Sequence, residues 1–137
     1  MIAVICIDDR GGMSFNRRRQ SQDRLLRQDL LREAGSRPVW MSGYSLRQFP
    51  SPPANLRPAE DFYRRAGAGE LCFFENTDPV PHLASAEGLI LYHWNRVYPS
   101  DLRLPLPLEG WTMSRREEFP GSSHERITKE VFIRQER

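Results

Sequence analysis

The apolar positions of the chain fall into short continuous blocks separated by polar and proline-rich stretches. Ile2–Ile7 is apolar throughout, the pattern of a strand buried on both faces inside an α/β sheet. It ends at Asp8-Asp9-Arg10-Gly11-Gly12, where the glycine pair predicts a loop. A different period follows. Leu26, Leu30 and Ala34 recur every fourth residue with Leu31 beside them, predicting a helix with one inward stripe. Ser21 is its expected N-cap and Gly35 its C′ residue. Residues 38–41, 70–74 and 89–92 read as further core strands. Four prolines (Pro50, Pro52, Pro53 and Pro58) make residues 48–58 an extended surface connection, and residues 59–66 a short helix opened by Pro58. Pro105 and Pro107 break the chain again. Residues 111–115 and 127–133 alternate as strands, with Ile127, Val131 and Ile133 on one face, and are expected to pair antiparallel at the sheet's edge. There is no internal repeat or low-complexity tract. The order of elements predicts a mostly parallel sheet with an antiparallel C-terminal end.

Composition narrows the class of protein. A chain of 137 residues with 39% hydrophobic and 28% charged side chains has the size and make-up of a single globular domain spanning 1–137. Cys6 and Cys72 each lie inside an apolar run, which predicts buried thiols and neither a disulfide nor a redox pair. No apolar stretch reaches the length of a membrane span, and Met1-Ile2-Ala3-Val4 has no basic n-region, so a cytoplasmic protein with no membrane partner is expected. The net charge of +2 is too small to imply nucleic acid by itself. Its distribution is uneven: seven arginines lie between positions 17 and 37, and Lys129 is the only lysine.

Taken in order, these features resemble dihydrofolate reductase over nearly the whole chain. The matching residues are Val4-Ile5-Cys6-Ile7-Asp8-Asp9 followed by Gly12-Met13, then Pro38-Val39-Trp40-Met41-Ser42-Gly43. Further on they are Leu89-Ile90-Leu91-Tyr92, Asp101, Leu104-Pro105, Trp111 and the closing Val131-Phe132-Ile133-Arg134. The resemblance implies a three-layer α/β fold, with a mostly parallel central sheet, antiparallel C-terminal strands and helices on both faces. The departures bear on function. Where the family has a glycine pair after a core strand to admit a cofactor pyrophosphate, this chain has Glu75-Asn76 after Phe74, and a carboxylate there repels phosphate. The family's arginine after Met41 is replaced by Gly43-Tyr44-Ser45, leaving Ser45 as the group able to hold a phosphate oxygen. Residues 49–59 are shorter than in the family, implying a missing strand. A shortened, divergent relative without its NADPH site is the expectation.

Candidate chemistry centres on several groups. Asp23 shares the face of Leu26, Leu30 and Ala34. As a buried carboxylate with a raised pKa it would donate a proton or hold an amidine-like ring; as a first-turn acid it would instead favour the helix dipole and pair with Arg27. Arg17, Arg18 and Arg19 precede the helix and are candidates for holding negative charge, against the alternative of a solvated basic loop. Trp94, Arg96 and Tyr98 lie beyond a core strand and mix aromatic with basic groups suited to stacking on a ring. A polar loop at 119–125, carrying His124, is expected to close over the same cleft. Asp8, Asp9 and Glu75 lie at strand carboxyl ends, where with Asp78 nearby they offer a minority Mg²⁺ site. His82, His93 and His124 lack metal-ligand spacing.

Three functions follow from these groups. The leading one is binding of a small planar or phosphorylated ligand without NADPH reduction. An RNA-binding or ribonuclease-type protein would use the strand-end acids, with Mg²⁺, and the arginine cluster. An interaction module would have no catalysis and would tolerate alanine at Asp23. A shortened sheet also leaves an edge for a homodimer.

Overall fold

The computed structural model describes residues 1–135. In chain order the elements are β1 (Ile2–Ile7), β2 (Gly12–Phe15), β3 (Arg18–Arg19), α1 (Arg24–Ala34), β4 (Val39–Met41), α2 (Gly43–Leu46) and β5 (Leu56–Pro58). They continue with α3 (Phe62–Arg65), β6 (Leu71–Phe74), α4 (Val80–Leu83), β7 (Gly88–His93), β8 (Leu102–Arg103), β9 (Trp111–Phe119) and β10 (Ile127–Arg134). Seven strands form one sheet in the order β5-β4-β6-β1-β7-β10-β9. The first five run parallel, and β10 lies antiparallel to both β7 and β9.

The continuous apolar runs explain the centre of this sheet. β1, β6 and β7 are buried along almost their whole length because each is covered on both faces. On one face α1 presents Leu26, Leu30 and Ala34 to Val4, Tyr92, Ile90 and Trp94. On the other, Phe62 of α3 and Leu83 of α4 pack on Ile5, Phe74 and Leu89. Cys6 and Cys72 are buried free thiols; burial pushes the Cys6 thiol well above its ordinary range and Cys72 up to about 12. A three-stranded sheet, β3-β2-β8, lies beside the main one.

Four expectations need correction. The N-cap of α1 is Asp23 and not Ser21, because the Asp23 carboxylate accepts the Leu25 and Leu26 amides. The 48–58 connection does not stay wholly irregular. Its last residues form β5 on β4, with Pro58 at the sheet edge where a missing amide costs no ladder bond. The short helix expected at 59–66 is confined to Phe62–Arg65. The 111–115 strand extends to Phe119, because a strand exposed on both faces has no apolar alternation to mark its end.

α1 is also fastened to the sheet by charge. Lys129 of β10 is 3% exposed, and its Nζ lies 2.8 Å from Asp29 Oδ2 and 2.6 Å from Glu33 Oε1. Tyr92 donates to the same Asp29 oxygen at 2.6 Å, and Arg115 of β9 pairs with Glu33. Burial and these partners place the Tyr92 phenol far above its ordinary value.

Candidate functional site

The carboxyl ends of β1, β4, β6 and β7 open toward the same end of the sheet, the usual place for a ligand in an open α/β fold. The ends of β1 and β6 each carry a buried polar hub, and a third lies at the start of α1. At β1, Asp8 is 1% exposed. Its Oδ1 accepts the Arg10 and Gly12 amides, both at 2.8 Å, and its Oδ2 accepts Tyr98 N at 3.0 Å and Gln20 Nε2 at 3.1 Å. Burial pushes its carboxyl up, but the Tyr98, Arg10 and Gly12 amides outweigh burial and hold it below 3.8. Asp8 thus ties the 10–12 loop to the 96–100 segment.

At the end of β6, Glu75 is 8% exposed and fully engaged. Arg19 Nε lies 3.0 Å from its Oε2, while Ser45 Oγ donates to Oε1 at 2.8 Å and Gln48 Nε2 at 2.9 Å. Arg19 also donates to the Tyr44 carbonyl at 3.2 Å, with its guanidinium over the Tyr44 ring. Ser45 is therefore buried against a carboxylate of the chain itself.

The third hub joins the start of α1 to the 121–124 loop. Asp23 Oδ1 accepts from the Leu25, Leu26 and Ser122 amides. Oδ2 accepts from Ser123 N at 2.8 Å and from His124 Nδ1 at 3.0 Å. His124 is 4% exposed; its ring stacks on Trp94 with centroids 4.6 Å apart, and its Nε2 meets Tyr98 Oη at 2.9 Å and Ser21 Oγ at 3.2 Å. Gly121 is required here, since a Cβ would lie 2.9 Å from the His124 carbonyl oxygen and 3.0 Å from Asp23 Cγ.

The expected pKa of Asp23 is reversed by this geometry. Burial alone would raise it, but the Ser122 and Ser123 amides, with His124 and Leu26, hold the carboxyl well below 3.8. Its lone pairs are taken by the chain, as expected of a cap rather than a proton donor. The expected Arg27 pair is replaced: Arg27 Nη1 donates to Gln22 Oε1 at 3.1 Å.

The other candidates divide. Arg18, Arg19, Gln20, Tyr98 and Phe15 line a cleft of about 590 Å³. Arg17 is exposed at the β2–β3 turn, where Asn16 and Arg17 both have left-handed backbone (φ 55° and 62°). Among the described residues, neither Arg17 nor Arg18 forms an ion pair. Arg96 is exposed and lines a separate hollow with Glu125 and Arg126. Trp94 is 4% exposed with its face on His124, so the stacking platform expected of it is occupied. His93 pairs with Glu130, and His82 stacks on Tyr63. The minority metal set does not assemble. Asp8 and Glu75 are spent on separate donors, Asp9 is an exposed turn residue, and no group of three metal-ligating side chains converges among the described residues. The 119–125 loop, expected to close over the cleft, is bonded to Asp23 at the start of α1. Sequence reasoning did not anticipate the Lys129 network or the pairing of His124 with Asp23.

Three carboxylates held low give a signed prediction. Asp8, Asp23 and Glu33, the last through burial outweighed by Lys129 and Arg115, have folded-state values below 3.8, 3.8 and 4.5. Their contribution is present above those values and is lost as pH falls through the lower folded ones. The melting temperature is therefore expected to be level above about pH 5 and to drop steadily below about pH 4. Scanning calorimetry across that range checks it; a melting temperature that rises on acidification would contradict the assignment.

No protein-family model matches the sequence, and no curated protein matches it. Solved structures do. The chain is similar to dihydrofolate reductase from Enterococcus faecalis complexed with NADP(H) and RAB-propyl, with a TM-score of 0.69 over 98% of this chain and 96% of that chain. Sequence identity is 9%, so the likeness is one of fold. The chain has a dihydrofolate-reductase-like α/β fold, with a mostly parallel sheet, antiparallel C-terminal strands and helices on both faces. Among the described residues, no helix is long and apolar enough to cross a membrane.

Proposed function

We propose that this dihydrofolate-reductase-like protein binds a small planar or phosphorylated ligand and does not carry out NADPH-dependent reduction. The observation that carries the second half is Glu75. Its buried carboxylate occupies Arg19, Ser45 and Gln48, the donors a phosphate would need beyond the end of β6. A second anion brought there meets a fixed negative charge that already engages Arg19 Nε, Ser45 Oγ and Gln48 Nε2.

The ligand half rests on the neighbouring cleft. Phe15 is 47% exposed, an unusual place for a large apolar ring, and it shares the cleft wall with Tyr98. Arg18 reaches the same space without an ion-pair partner among the described residues, so a flat ring carrying negative charge finds both an apolar wall and a cation. Asp23, saturated by chain donors, holds the framework and does not contact the ring.

A thermal-shift series with NADPH, dihydrofolate, mononucleotides and dinucleotides tests both halves. A nucleotide or folate-like ring is expected to stabilise the fold, by about 2.7 kcal/mol at a hundredfold excess over its dissociation constant. NADPH is expected to produce no shift; a clear one would revive the reductase. A shift with short RNA alone, falling steeply with salt, would move the reading to nucleic acid.

A further inference from the structure

We infer that Ser21, His124 and Asp23 form a nucleophile–base–orienter relay able to accept the acyl group of a small ester, an activity separate from the ligand binding proposed above. Ser21 Oγ lies 3.2 Å from His124 Nε2, and His124 Nδ1 lies 3.0 Å from Asp23 Oδ2. That is the hydroxyl–imidazole–carboxylate order of a serine nucleophile, which is defined by geometry and not by sequence position.

Each member has the environment its part requires. The Asp23 carboxylate is held in place by backbone amides from both α1 and the 121–124 loop. It therefore fixes the tautomer in which Nδ1 carries the proton and the Nε2 lone pair points away. Trp94, stacked on the imidazole, sets its plane. Ser21 is half-buried, next to cleft-lining Gln20, whereas His124 and Asp23 are closed to solvent. A latch between α1 and the loop requires only the Asp23 side of the ring. The structure also presents two hydroxyls to the opposite nitrogen, that of Ser21 and that of Tyr98, a residue of the cleft wall.

The step balances with water as the only co-reactant. Ser21 Oγ bonds to the ester carbonyl carbon as its proton passes to His124 Nε2. The bond to the alcohol oxygen breaks, and the imidazolium returns the proton to that oxygen. Water then attacks the acyl-serine through the same nitrogen, releasing the acid and restoring Ser21. Arg18 in the adjoining cleft favours an ester bearing negative charge. Tyr98 competes with Ser21 for the single Nε2 lone pair, so removal of the phenol is expected to leave Ser21 at least as reactive.

The test is covalent labelling of the full chain with a fluorophosphonate probe, read by intact mass and peptide mapping. A single adduct on Ser21 is expected. It should be absent in Ser21→Ala, whose melting temperature should match that of the parent, and retained in Tyr98→Phe. No adduct on the folded parent, an adduct that persists in Ser21→Ala, or one mapped to Tyr98 overturns the assignment. A ligand shift in the thermal series is independent of these results, so either reading can fail alone.

Discussion

Replacing Lys129 with methionine is expected to lower the unfolding free energy by about 3–5 kcal/mol and the melting temperature by roughly 10–20 °C. Methionine keeps the length of the stem but removes the charge that Asp29 and Glu33 share, at 2.8 and 2.6 Å. Glu33 retains Arg115, so most of the loss falls on Asp29, which is left with the Tyr92 hydroxyl and no cation. A buried carboxylate in that state must either stay charged at high cost or take a proton, and both weaken the folded state. Urea denaturation of the variant measures the loss directly. Combining Lys129→Met with Asp29→Asn and Glu33→Gln should recover much of it, since removing a whole buried charge set costs less than orphaning part of one. A single variant that loses less than about 1 kcal/mol, the range of an exposed pair, would mean that this network does not fasten α1 to the sheet.

That network shows where sequence reading stops. Lys129 stands out in the chain as its only lysine, yet nothing local says that it is buried. Its neighbours in β10 alternate weakly, and its partners Glu33 and Asp29 lie 96 and 100 residues before it, in pairs that only the fold creates. The central strands were legible for the opposite reason. β1, β6 and β7 are covered on both faces, so burial writes itself into every residue as an unbroken apolar run. The stripe on α1 was legible because one face of a helix repeats at a fixed period. β9, with Arg115-Arg116-Glu117-Glu118 at its centre and solvent on both faces, carries no such record, and neither do the two-residue strands β3 and β8.

The candidate site divides along the same line. Glu75 after a core strand predicted a disturbed phosphate position, because the argument needed only the residue type and its place at a strand end. The fate of its charge was hidden, since Arg19 and Ser45 reach it from 56 and 30 residues away. Trp94 and Tyr98 look alike in sequence as aromatic groups beside an arginine. They differ in the fold: Trp94 stays inside with its ring on His124, while Tyr98 reaches the cleft. Polar groups are read poorly from sequence because their energy depends on which partner they meet, and apolar groups are read well because theirs depends mainly on leaving water.

Asp23→Ala is expected to cost about 3 kcal/mol or more, in contrast to the tolerance that a pure interaction module would show. Loss of the N-cap alone accounts for about 1 kcal/mol. The greater part comes from the 121–124 loop: the exposed Ser122 and Ser123 amides lose this acceptor and so does the buried His124 Nδ1, and a buried donor left unmade costs about 1–3 kcal/mol. Asparagine separates the two contributions. Its carbonyl oxygen can still cap Leu25 and Leu26, but its amide nitrogen points donors at the Ser123 amide and His124, so the loop should loosen while α1 keeps its first turn. Hydrogen exchange reads this out residue by residue. In Asp23→Asn, protection should fall at Ser123, which bonds Oδ2, and persist at Ser122, which bonds the retained Oδ1, and at Arg27, whose amide bonds the Asp23 backbone carbonyl at 3.0 Å. Uniform loss at all three would mean that cap and loop form one cooperative unit, with Asp23 as the single joint between α1 and the C-terminal half of the chain.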